Sequence, residues 1–127
     1  MAQATTDLSR RTPQQVFAHH GQAMKAEDLD ALVQDYAETS CIITSDAVTR
    51  GKEDIRAFFA RFFQLLPRAQ WTSWNSKATI ADNILLLEWT ADSARARASV
   101  SDGVDTFVFR DGLIQCQTIH FTVAPKS

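Results

Sequence analysis

Gly103-Val-Asp-Thr-Phe-Val-Phe-Arg-Asp-Gly112 alternates at period two, so Asp105, Phe107 and Phe109 share one face of a strand and Val104, Thr106 and Val108 the other. A carboxylate thus sits on the same face as two phenylalanines. If that face is interior, the carboxyl must find hydrogen-bond donors, take up a proton, or bear a desolvation penalty.

The Asp111-Gly112 pair that ends the stretch permits two registers. A two-residue turn pairs Arg110 with Leu113 and gives Asp105 the face of Cys116, Thr118 and His120. A three-residue Arg110-Asp111-Gly112 loop with a glycine bulge pairs Phe109 with Leu113, and Asp105 then joins Gln117, Ile119 and Phe121. The second keeps Phe107, Phe109 and Phe121 on one apolar face and is the expected one, with His120 outside.

Upstream of this hairpin the pattern is also alternating. Gln70 to Ile80 reads as a strand, Ala81-Asp82-Asn83 as a turn, and Ile84 to Ala91 as a buried strand with Leu85, Leu87 and Trp89 on one face. Asp92 to Ala98 has no clear pattern, a bulge is expected at Gly103, and Leu113 to Val123 closes the sheet.

Before Pro67 the period is helical. Thr12-Pro13 starts a first helix reaching about Ala26, with Val16, Phe17, His20, Ala23 and Met24 on its apolar stripe and His19 off it. Asp28 caps a second helix carrying Leu29, Leu32, Val33 and Tyr36, ending before Thr39. Cys41 to Ser45 is a short β-branched strand, and Arg50-Gly51 breaks the chain. Lys52 to Leu66 forms a third helix with Ile55, Phe58, Phe59, Phe62, Phe63 and Leu66 inward, stopped by Pro67.

Three N-terminal helices, a small strand insertion and a four-strand meander make the fold α+β, with the helices on one face of a curved antiparallel sheet. Residues 1–12 are polar and expected to be flexible; 13–127 form one domain. A net charge of −2 gives no reason to expect nucleic acid or an anionic membrane as partner. The N-terminal stretch lacks an apolar segment, so a cytoplasmic location is expected. Cys41 and Cys116, far apart in sequence, are read as reduced, buried small residues. There is no phosphate loop, zinc spacing or nucleophile elbow, so no metal and no cofactor is expected.

Glu27-Asp-Leu-Asp-Ala-Leu32 leading to Tyr36-Ala37, the helix start Arg50-Gly-Lys-Glu-Asp-Ile-Arg-Ala-Phe-Phe59, and Val104-Asp-Thr-Phe-Val-Phe-Arg-Asp-Gly-Leu-Ile114 occur in the order and spacing of a known family. The chain resembles the nuclear transport factor 2-like superfamily, and within it the SnoaL-like polyketide cyclase and ketosteroid isomerase branch. The likeness covers roughly Pro13 to Val123. It implies a cone-shaped, mixed, mainly antiparallel sheet wrapped around the helices, a hydrophobic pocket, and a homodimer formed through the outer sheet face. It also points to the register that puts Asp105 with Gln117.

Ketosteroid isomerase uses a tyrosine and a protonated aspartic acid as an oxyanion hole and another aspartate as base. The resemblance carries the oxyanion aspartic acid to Asp105 and the tyrosine to His20. The base falls on Thr44, which cannot abstract a proton, so classical steroid isomerisation is not expected; Asp46 could substitute only if the strand reaches that far. The implied function is a cofactor-independent isomerase, cyclase or hydrolase acting on a small, mostly apolar or polycyclic molecule. Asp105 would be acid or oxyanion donor, His20 its partner or the base, and Phe17, Tyr36, Phe59, Trp89, Phe107, Gln117, Ile119 and Phe121 would bind the ligand. The alternative is a non-catalytic ligand-binding or assembly module. Arg95 and Arg97 are candidates to grip an acidic ligand at the pocket mouth.

Overall fold

The computed structural model describes residues 8–126. Thr12 caps α1 (Pro13–Ala26) through a reciprocal box: its hydroxyl accepts from the Gln15 amide, and the Gln15 side chain accepts from the Thr12 amide. Asp28 caps the short α2 (Leu29–Val33) by accepting from Ala31 N–H. The remaining elements are β1 (Tyr36–Ile43), β2 (Val48–Arg50), α3 (Lys52–Leu65), β3 (Ser73–Ala81), β4 (Ile84–Ser93), β5 (Ala98–Arg110), β6 (Leu113–His120) and β7 (Ala124–Pro125).

Seven strands form one curved, unclosed mixed sheet in the order β2-β1-β6-β5-β4-β3, with β7 paired to the start of β5. β3 to β6 form an antiparallel meander, whereas β1 runs parallel to β6. The fold is α+β: helices cover the inner face, and Val16, Leu32, Ile55, Phe59 and Leu66 pack against Phe107, Phe109 and Ile114. Burying such large apolar side chains contributes roughly 1.5–3 kcal/mol each.

Several boundaries depart from the sequence reading. The second helix stops at Val33, and the strand expected over Cys41–Ser45 runs from Tyr36 to Ile43. Tertiary pairing overrides the helical pattern here, because Tyr36 pairs with Ile114, and Ser40 bridges the irregular stretch by accepting from Ala37 N–H and donating to the Ile114 carbonyl. β3 starts at Ser73 rather than Gln70. β4 extends to Ser93, and β6 ends at His120, short of Val123.

The β5–β6 turn combines parts of both expected registers. It is the two-residue form, with Arg110 opposite Leu113, Asp111 at φ 53° and Gly112 at φ 74°, so the three-residue loop is not formed. A register shift past Phe109–Ile114 then leaves Gln115 as an extra residue, and Asp105 ends opposite Ile119 with Phe107 opposite Gln117. The face expected for Asp105 is reached by a bulge in the strand and not by the loop.

Of residues 1–12, expected to be flexible, 1–7 lie outside the described ones. Leu8–Arg10 form a 3-10 turn whose Leu8 carbonyl lies against Gly112. Arg11 donates to Asp35 Oδ1 at 2.8 Å and to the Gly112 carbonyl at 2.9 Å. The cysteines are not buried. Both are half-exposed and free, and parallel pairing of β1 with β6 brings their Sγ atoms to 3.6 Å.

Candidate functional site

Asp105 is placed by the middle of β5, between β4 and β6, and is only 7% exposed. Gly103, two residues earlier, faces Trp89 on β4, and a Cβ there would lie 2.3 Å from Trp89 Cδ2. The missing side chain lets the indole lie flat against the strand. From that position Trp89 Nε1 donates to Asp105 Oδ1 at 3.0 Å, and Gln117 Nε2 donates to Oδ2, also at 3.0 Å. Tyr36 donates its hydroxyl to Gln117 Oε1, which fixes the amide with its NH2 toward the carboxylate.

The chemistry of Asp105 follows from two opposed effects. Burial raises its pKa from 3.8 to about 6, and the N–H bonds from Trp89 and Gln117 keep it from rising further. At neutral pH it is mainly a carboxylate with both oxygens held by donors and lone pairs to spare. Burial, with Asp35 and Asp105 nearby, pushes the Tyr36 hydroxyl well above 10, so it stays a neutral donor.

A cavity of about 290 Å³ opens on this carboxylate. Of the residues singled out from sequence, Phe17, His20, Phe59, Trp89, Asp105, Gln117 and Ile119 line it. Tyr36 and Phe107 are fully buried and stand behind the wall. Phe121 belongs to a neighbouring groove, which shares only Phe62 and Ile119 with the cavity. Asp46 and Thr44 line that groove too: β1 ends at Ile43, Asp46 is exposed in the following turn, and the strand does not carry it to Asp105. Arg95 and Arg97 are exposed in the β4–β5 turn, away from the cavity lining. His120 is exposed beside Asp102.

His20, 4% exposed, packs edge-on to Phe107, Phe59 and Tyr36, with ring centroids 5.2, 6.1 and 6.3 Å away. Burial, with a smaller contribution from His19, lowers its pKa from 6.5 to about 3, so the imidazole is neutral. Its Nδ1 has no hydrogen-bond partner among the described residues. His20 and Asp105 share the cavity without bonding each other; the carboxylate oxygens accept from Trp89 and Gln117.

Sequence reasoning missed the cavity's outer half. Trp74 stacks on Trp89 at 5.5 Å, and Arg68 sits with Cζ 4.0 Å over the Trp74 ring. The face of Trp74 was readable: a two-residue Asp82-Asn83 turn puts it opposite Ala91, on the side of Trp89. Arg68 lies in a loop, where no periodicity marks it. Asp35 was missed as well. It is completely buried, accepting from Arg11 and lying with Oδ2 2.8 Å from His19 Nδ1, and it sits outside the cavity lining.

Among the described residues no group of His, Cys, Asp and Glu is arranged to hold a metal ion, and no helix is long and apolar enough to cross a membrane. No curated protein is significantly similar in sequence. Solved structures are similar in fold. A candidate polyketide cyclase from Xanthomonas campestris superposes with a TM-score of 0.70 at 16% identity, over 90% of this chain and 93% of that one. One from Sinorhizobium meliloti gives 0.66 at 17% identity, over 83% and 93%. An NTF2-like protein of unknown function from Burkholderia xenovorans gives 0.69 at 17% identity, over 91% and 85%. Residues 16–116 match the family described as the SnoaL-like domain, and the chain therefore belongs to the SnoaL-like branch of the nuclear transport factor 2-like superfamily.

Proposed function

We propose that the cavity is the active site of a cofactor-independent enzyme that moves a proton on a small, mostly apolar, carbonyl-containing molecule, as an isomerase or cyclase does. The observation that carries this is Asp105: a buried carboxylate, fixed at both oxygens, facing a cavity and titrating near pH 6. A base poised close to the operating pH combines availability of the ionised form with sufficient basicity. The two N–H donors favour the charged form, so Asp105 serves as proton acceptor in place of the oxyanion donor that the resemblance implied. It takes a proton from carbon beside the carbonyl and returns it at another position. His20, kept neutral by burial, is the cavity residue suited to donate a hydrogen bond to the oxygen where negative charge develops.

The test is a panel of cyclic ketones and diketones assayed for proton exchange and isomerisation. Asp105→Asn should lower kcat by about 10²-fold or more, and kcat/KM of the parent should fall as the pH drops through about 6. Unchanged turnover in the variant would refute the role. One observation favours a second reading, a non-catalytic binding module: no titratable group hydrogen-bonds Asp105 among the described residues. That reading expects a blank activity panel in which a ligand still raises Tm.

A further inference from the structure

The cavity is charged unequally along its length. Among the described residues Asp105 is the only acidic one in its wall, whereas two cations, Lys25 and Arg68, also line it. Arg68 is connected to the carboxylate by a chain of ring contacts: its guanidinium lies over Trp74, Trp74 stacks on Trp89, and Trp89 donates to Asp105. A pair of stacked indoles therefore separates a cation from an anion within one small cavity.

The guanidinium has no ion-pair partner among the described residues. Glu27 is the nearby carboxylate, but its Oε2 accepts from the backbone N–H of Arg68 at 3.2 Å. The half-buried guanidinium has lost part of its hydration and gained the ring face and the field of Glu27, while its N–H donors are paired with no carboxylate oxygen among the described residues. Burial draws its pKa down, with Glu27 acting in the opposite sense. Its planar fork is suited to a carboxylate, which it can grip bidentately. Asn75 and Ser76, which also line the cavity, add neutral polar groups.

We propose that the natural ligand is a small organic acid: a flat, unsaturated body stacked along Trp74 and Trp89, with its carboxylate on Arg68 and Lys25 and its reacting carbon directed toward Asp105. This rests on the reading of the cavity as the ligand site and adds the charge of the ligand to it. The carboxylate binds at the cationic end because the Asp105 end repels it. A cavity of about 290 Å³ suits a ligand of one or two fused rings.

Binding of 2-naphthoate and its neutral isostere 2-naphthamide, measured by calorimetry, tests the proposal, with the indole N–H resonances of Trp74 and Trp89 reporting where each probe sits. The acid should bind about tenfold more tightly than the amide. Arg68→Gln should remove most of the acid's advantage over the amide, with Lys25 holding the remainder, and Arg68→Lys should retain more of it. Equal affinities of the two probes, with both shifting the indole resonances, would overturn the charge assignment while leaving the cavity as a ligand site. A preference that Arg68→Gln does not alter would also overturn it. If neither probe moves the indole resonances, the cavity reading and this inference fall together.

Discussion

Replacing Asp105 with asparagine should change the pH dependence of stability in a way that no surface carboxylate would. The folded-state pKa of Asp105, about 6, lies above its ordinary value of 3.8, so its contribution to stability is fully present below 3.8 and is lost as pH rises through about 6. The whole window is worth about 3 kcal/mol, at about 1.4 kcal/mol per pH unit. His20 acts in the opposite sense. Its folded-state pKa, about 3, lies below 6.5, so its contribution is lost as pH falls below 6.5. Between pH 4 and 6 the two slopes nearly cancel in the parent protein. Asp105→Asn removes one and exposes the other, leaving a variant that loses about 1.4 kcal/mol per unit of acidification. The hydrogen-bond network can accommodate the change, since the introduced amide oxygen can accept from Trp89 while Gln117 turns its carbonyl toward the introduced NH2 and Tyr36 accepts. Urea unfolding of both proteins from pH 4 to 7 measures the difference, in which all shared groups cancel. The parent should gain about 2.4 kcal/mol on the variant from pH 7 to 4. A difference that stays constant across that range would refute the account of Asp105 as a desolvated carboxyl.

Gly103→Ala should destabilise the protein by about 1–3 kcal/mol and displace the Trp89 indole from Asp105, seen as a changed near-ultraviolet circular dichroism spectrum. An unchanged spectrum would contradict the contact. Asp35→Ala leaves Arg11 half-sheltered without its carboxylate and should cost about 3 kcal/mol in urea unfolding, with Asp35→Asn milder. A homodimer through the outer sheet face is expected from the exposed Ile43 and Leu86 there, and Leu86→Lys should convert it to monomer in light scattering. A parent that is monomeric at micromolar concentration would exclude it.

The helices and the meander were legible because each carries its period strongly. Ile55, Phe59 and Phe62 recur at helical spacing, and Asp105, Phe107 and Phe109 alternate, so both sets declared their buried faces. The site was legible only where it lay on those periodic faces. Trp89 could be assigned to the side of Asp105 by parity, whereas Gln117 reaches that side through the bulge at Gln115, which parity across a two-residue turn does not show. That they hold both of its oxygens, and so favour the carboxylate over the protonated acid, depends on side-chain geometry that parity does not encode. Tyr36 reads as helical because its local pattern continues that of Leu29 and Leu32, whereas pairing with Ile114, distant in sequence, makes it a strand residue. Arg11, Asp35 and Arg68 are polar residues outside regular patterns; the partners of Arg11 and Asp35 come from distant parts of the chain, and Arg68 meets Trp74 across a loop.

The parallel pairing of β1 with β6 also bears on the order in which the molecule can be assembled. β6 lies in the interior of the sheet, between β1 and β5, although it is the second-last strand to be synthesised. Until residues through His120 have left the ribosome, β1 and β2 have no neighbour linking them to the rest of the sheet, and Asp105 lacks Gln117. A nascent chain halted at the Asp111-Gly112 turn would therefore present the open edges of two unconnected strand sets. The wall around Asp105 can be completed only in a late step that closes a long loop, and such non-local pairing places folding on the slower, millisecond-to-second side of small-domain rates.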